Sequence, residues 1–131
     1  MGLAERRAIK AFSEGRYLKL KQEIDAVSGF EVPIEVNWDS IATEGYADLY
    51  EDAFYKVYFR PLIDALKAIA IDDLGKEALK EGLKKIVIED SGSSWPTFQL
   101  GVLTLPYYAV SNLDDWMERK KNIQAELEKG L

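Results

Sequence analysis

The chain of 131 residues contains no cysteine and no histidine. Without cysteine it cannot form disulfides, Cys/His zinc sites or a cysteine nucleophile. Without histidine it cannot build a Ser-His-Asp triad, and it lacks the side chain that most often transfers protons near neutral pH. These absences remove the common catalytic routes. We therefore expect a non-enzymatic protein with no catalytic residues, no cofactor and no metal site.

Long apolar runs are also missing. No stretch of about 18 apolar residues is present, so we expect no membrane span. The N-terminal segment is charged and helical in pattern, and it lacks the apolar centre of a signal peptide. The sequence therefore predicts a soluble, cytoplasmic protein without a membrane partner. Its hydrophobic content of 47 % is sufficient for a single domain over residues 1–131.

Basic residues are scarce in one region. The chain has 17 basic and 23 acidic residues and a net charge of −6, which argues against a nucleic-acid partner. Between Gln22 and Tyr55 there is no lysine or arginine. The acids of this segment are Glu23, Asp25, Glu31, Glu35, Asp39, Glu44, Asp48, Glu51 and Asp52. They form a solvated face that protects an edge strand from aggregation, a surface for a basic partner, or a site for Mg²⁺ or Ca²⁺. The metal site is the least favoured of the three, because no EF-hand or other ligand spacing is present.

The apolar pattern predicts an α+β fold. It indicates helices over residues 3–27, 43–71, 72–83 and 111–129 and strands over 30–39, 86–88 and 97–105. Pro33 places the first strand at a sheet edge, because proline cannot donate to a strand ladder. The alternation shifts phase at Leu100 and Gly101, which indicates a bulge or a tight hairpin. We expect a small, mostly antiparallel sheet of three or four strands with helices packed on one face.

An aromatic cluster near residues 95–117 is the leading candidate for a binding site. Tryptophan, tyrosine and methionine are enriched where proteins contact each other. The cluster consists of Trp95, Phe98, Tyr107, Tyr108, Trp116 and Met117. We predict an interaction module that binds a protein partner, or a second copy of itself, through these residues. The alternative is that the rings close one end of the core. The neighbouring run Arg119-Lys120-Lys121 is interpreted as solvated charge.

A second aromatic region offers a rival hypothesis. The predicted helix over residues 46–59 carries Tyr46, Tyr50, Phe54, Tyr55, Tyr58 and Phe59. A pocket beside it would suit a small-ligand-binding protein or an enzyme that uses a carboxylate as its base. Such a helix is also typical of the centre of a core, because its apolar side chains surround the axis.

Two parts of the chain differ in character. Residues 30–90 resemble an ordinary small bacterial α+β protein, whereas residues 95–117 place aromatic side chains in loops and at boundaries. This contrast resembles a natural scaffold whose surface has been redesigned as a protein binder. The resemblance implies an engineered binding surface within 95–117.

Overall fold

The computed structural model describes every residue from Met1 to Leu131. The α-helices are α1 (Leu3–Glu14), α2 (Arg16–Ser28), α3 (Trp38–Ile41), α4 (Tyr50–Phe54), α5 (Arg60–Ile69), α6 (Asp73–Gly82) and α7 (Trp116–Gly130). A 3-10 turn (Ala47–Leu49) precedes α4, and a π-helical turn (Tyr55–Phe59) follows it. The strands are β1 (Ile34–Val36), β2 (Lys85–Ile88), β3 (Thr97–Gln99) and β4 (Val102–Leu105). No helix combines the length and the hydropathy that crossing a membrane requires.

The four strands form a mixed sheet in the order β1-β2-β4-β3. β1 and β2 pair in parallel, as do β2 and β4, and only β3 and β4 are antiparallel. The α+β class is confirmed, but the expectation of a mostly antiparallel sheet is wrong. The reason is the connection from β1 to β2. It contains α3 to α6, and a connection of this length allows the crossover that parallel pairing requires.

The local signals of the sequence explain both edges of the sheet. β1 lies at one edge, directly after Pro33, as expected. It is shorter than predicted, because the Asn37 side chain accepts a hydrogen bond from the Ser40 N–H at 3.2 Å and begins α3. At the other edge, Leu100 and Gly101 have φ values of 52° and 81°. Two positive φ values are what a two-residue type I′ turn needs, so the predicted hairpin is confirmed.

The sheet has one buried face. Alternate side chains of β2 and β4 are fully buried and belong to the main core, together with residues of α5 and α7. These sheet residues are Ile86, Ile88, Leu103 and Leu105. On the opposite face, Val87 and Thr104 are partly exposed. The side chains of the buried face therefore point towards the helices, as the alternation predicts.

The central helix runs from α4 through the π-helical turn into α5. Within the π turn, the Arg60 N–H donates to the Tyr55 carbonyl five residues earlier. Pro61 follows directly and has no N–H, which explains why the regular pattern is interrupted at this point. Pro61 lies in the first turn of α5, and the irregularity lies in the turn before it. As a result, Val57, Tyr58 and Phe59 are all fully buried.

Candidate functional site

A polar cleft lies at one end of the sheet. Because β1, β2 and β4 are parallel, their carboxyl ends meet at the same edge. The segment after β2, residues 89–96, leads across to β3, and the segment after β4, residues 106–115, leads into α7. These two loops and the start of α7 enclose a cleft of about 130 Å³. This is the position at which open sheets with parallel strands commonly bind ligands.

The cleft is lined by three segments of the chain. The loop after β2 contributes Ser93 and Ser94. The loop after β4 contributes Tyr107, Tyr108, Ser111 and Asn112. The residue before α7 and the first turns of α7 contribute Asp115, Glu118, Arg119 and Asn122. Eight of these ten residues have polar or charged side chains, and the other two are tyrosines.

Two stacked tyrosines lie beneath this edge. The ring centroids of Tyr58 and Tyr107 are 6.2 Å apart, and the Tyr58 hydroxyl donates to the Tyr107 carbonyl at 2.6 Å. Tyr107 itself is only 2 % exposed, and its buried hydroxyl has no hydrogen-bond partner in the protein. Burial raises the pKa of both tyrosines well above its usual value. Both phenols are therefore neutral at physiological pH, and one of them has unused hydrogen-bonding capacity.

Arg119 fixes the loop after β4. Its guanidinium donates to the Ser111 carbonyl at 2.7 Å and to the Asn112 carbonyl at 2.8 Å. It also lies 5.4 Å from the centroid of the Tyr107 ring, within cation–π range. Partial burial lowers the pKa of Arg119, while nearby Tyr107 and Asp115 oppose that shift. Arg119 therefore supplies a positive charge to the cleft and also holds its wall in place.

Asp90 links the two loops. Its carboxylate accepts a hydrogen bond from the Ala109 N–H at 3.1 Å, and its own N–H donates to the Ser40 hydroxyl at 3.0 Å. The N–H of Ser93 donates to the Pro106 carbonyl at 3.1 Å. These bonds join the loop after β2 to the loop after β4 and to α3. The cleft is therefore preorganised by hydrogen bonds between the segments that form it.

The structure brings two of the predicted site residues to the rim of the cleft. Trp95 follows Ser94 directly and is 54 % exposed, and Tyr108 is 57 % exposed. Tyr108 lies against the first loop, because a β-carbon built on Gly92 would be 3.0 Å from the Tyr108 hydroxyl. These two rings share one end of the molecule and present large apolar surfaces to solvent.

The other predicted site residues are not part of this rim. Tyr107 is buried below it, and Phe98 lies beside Gly130 at the far end of α7. Trp116 is covered by the Arg60 guanidinium, 3.5 Å from the ring centroid. Met117 is 65 % exposed, but at about 100° per residue it lies on a different side of α7 from the cleft residues. The six residues do not form one continuous patch, and a partner contact by any of them stays a prediction.

Sequence reasoning missed most of the polar lining. Asp115, Glu118, Arg119 and Asn122 have the spacing of one helix face. That pattern was available in the sequence, but it is equally typical of a solvated helix. Arg119 was expected to be solvated, and the structure shows it half-buried and bonded to two carbonyls. Only the fold shows that this helix face meets two distant loops.

The tyrosine-rich helix shows no comparable opening. The Tyr50 hydroxyl donates to the Thr43 carbonyl at 2.7 Å, and its ring stacks on Phe54 with centroids 4.8 Å apart. Both side chains are buried, and none of the surface pockets is lined by residues 46–59. This helix is the centre of the core rather than the wall of a pocket.

Four of the nine acids of the acidic segment pair with lysine or arginine from other parts of the chain. Lys21 binds Asp25 at 2.7 Å, Lys56 binds Asp52 at 3.2 Å, and Arg16 lies 3.9 Å from Glu51. Lys85 of β2 pairs with Glu35 of the neighbouring β1. Because these acids already have basic neighbours, the segment is a weaker attractant for a basic partner than its sequence suggests.

Comparison with protein-family models, curated proteins and solved structures finds no match for this chain. The resemblance to a redesigned scaffold stays a prediction.

Proposed function

We propose that this protein is a non-enzymatic binding module that contacts a protein partner through Trp95 and Tyr108. The observation that carries the proposal is that both rings are more than half exposed at the rim of the cleft. Large exposed aromatic side chains lose water favourably on binding and dominate the energetics of many protein interfaces. Neither ring belongs to the hydrophobic core, so the packing of the core does not account for their position.

Hydrogen bonds hold the two loops that carry Trp95 and Tyr108, which favours binding without a large rearrangement. The loop that precedes Trp95 is bonded to the Pro106 carbonyl, and Ala109, next to Tyr108, is bonded to Asp90. A partner would therefore meet two rings whose backbones are already fixed. Ordering loops on binding costs free energy, so this arrangement reduces the cost of association.

The first part of the test identifies the partner by proximity. A photo-crosslinking residue is placed at position 95 and, as a matched control, at Leu18, which is similarly exposed on α2. We expect one protein to be crosslinked from position 95 and not from position 18. A second copy of this chain is an equally acceptable partner.

The second part measures affinity with that purified partner. We expect Trp95→Ala and Tyr108→Ala each to weaken binding by about tenfold or more, since interface aromatics commonly contribute 1–2 kcal/mol or more. Leu18→Ala should leave the affinity unchanged. If Trp95→Ala binds as tightly as Leu18→Ala, the proposal is wrong.

A further inference from the structure

The residues that line the cleft carry charges of both signs. Arg119 is the basic residue of the lining, and Asp115 and Glu118 are its acidic residues. Neither acid forms an ion pair within the protein. An anion would be attracted by Arg119 and by the start of α7 but repelled by the two carboxylates. A cation would be attracted by the two carboxylates but repelled by Arg119 and by the start of α7. A neutral ligand avoids both.

The polar side chains of the lining favour a ligand that can form hydrogen bonds. Ser93, Ser94, Ser111, Asn112 and Asn122 all present hydrogen-bonding side chains to the cleft. Covering such groups with hydrocarbon would remove them from water without replacing their hydrogen bonds, which is unfavourable. The set contains donors and acceptors in close proximity. A ligand with several hydroxyl groups can match both, because each hydroxyl donates one hydrogen bond and accepts others.

The size of the cleft matches one small ring. An enclosed apolar cavity of about 150 Å³ holds benzene. The present cleft of about 130 Å³ is open on one side, so a six-membered ring can enter it and project outwards. Tyr108 lines the cleft and is more than half exposed, and the exposed Trp95 follows the lining residue Ser94. An aromatic face can cover the C–H surface of such a ring.

One polar group at the base of the site has no partner. Tyr107 lines the cleft, and its hydroxyl is buried without a hydrogen bond from the protein. The Arg119 guanidinium on the neighbouring wall already donates to the Asn112 backbone carbonyl. The hydroxyl of Tyr107 has almost no accessible surface in the unbound protein, so a ligand hydroxyl reaches it only when the groups that cover it move aside. The hydrogen bond formed then would be a gain specific to the bound state.

We propose that this cleft binds the ring of a neutral polyhydroxylated molecule, a sugar or a cyclic polyol, between the two loops and the first turns of α7. The ligand exchanges hydrogen bonds with Glu118, Asn122 and Tyr107, while Trp95 and Tyr108 cover its exposed face. The inference goes beyond the proposed protein partner and does not depend on it.

The test is a titration of the full chain followed by the NMR signals of its backbone amides. The neutral probes are glucose, galactose, mannose, N-acetylglucosamine and myo-inositol. Inorganic phosphate and guanidinium are the charged probes. We expect saturable shifts with at least one neutral probe, confined to residues 91–95, 107–112 and 115–122. No saturable shift with any neutral probe, or tighter binding of either charged probe at these residues, would overturn the inference.

Three variants assign the binding to the cleft. Tyr107→Phe and Asn122→Ala each remove one hydrogen-bonding group and should weaken binding of the neutral probe by about threefold to tenfold. Met117→Ala changes an exposed residue on another side of the same helix and should leave binding unchanged. If neither cleft variant weakens binding relative to Met117→Ala, the ligand binds elsewhere and the inference is wrong.

Discussion

Two aromatic regions of this protein have similar compositions and very different surroundings. In the central helix, Tyr50 and Tyr58 are buried and both hydroxyls donate to backbone carbonyls. At the carboxyl edge of the sheet, the Tyr107 hydroxyl has no partner, and Trp95 and Tyr108 are exposed. Aromatic content therefore does not distinguish a core from a binding surface. The two are distinguished by hydroxyl groups without a hydrogen-bond partner and by rings exposed to solvent.

The fold explains this difference. The central helix is surrounded by other elements, so its rings contact Phe12 and one another. The carboxyl edge is built from two loops and one helix end, whose backbone and polar side chains enclose a cleft rather than a packed layer. Rings that emerge from such loops have fewer apolar neighbours available to cover them.

Truncating the core region should have the largest effect on stability. Phe54 is fully buried and contacts the rings of Phe12 and Tyr50. Phe54→Ala should lower the free energy of unfolding by about 3–5 kcal/mol, measured by urea denaturation. Trp95→Ala is the matched variant at the carboxyl edge and should cost less than about 1 kcal/mol. A loss of about 3 kcal/mol for Trp95→Ala would show that this ring is packed in the core. The two aromatic regions would then not differ in burial.

The buried hydrogen bond of Tyr58 should have an intermediate effect. Tyr58→Phe leaves the Tyr107 carbonyl without its donor and should lower the free energy of unfolding by about 1–2 kcal/mol. Tyr50→Phe is the control, because its bond to the Thr43 carbonyl lies at a part-buried position and should cost less. Equal stability of Tyr58→Phe and the unsubstituted protein in urea denaturation would contradict this account.

Local features of the fold were predictable from the sequence. Pro33 indicates an edge strand, Leu100 and Gly101 indicate a hairpin, and Gly29 ends α2 with a φ of 84°. Each of these depends on backbone chemistry within a few residues. The direction of β2 relative to β1 was not predictable in this way, because alternation identifies a buried face and not the neighbouring strand.

The candidate site was predictable only in part. Trp95 and Tyr108 stand out as aromatic residues in loop positions. The polar lining does not stand out, because Ser93, Tyr107 and Arg119 come from three separate segments that only the mixed sheet brings together. No local pattern in the sequence reveals that the Tyr107 hydroxyl is buried without a partner.

Tyr107→Phe tests the central claim most directly, and its expected effect on stability is the smallest. The claim is that the hydroxyl beneath the cleft contributes nothing to folding and is available to a ligand. Removing a buried, unpaired hydroxyl should leave the free energy of unfolding unchanged or raise it by up to about 1 kcal/mol in urea denaturation without ligand. A decrease of about 1 kcal/mol or more, similar to that of Tyr58→Phe, would show that the hydroxyl is already satisfied and would contradict the account.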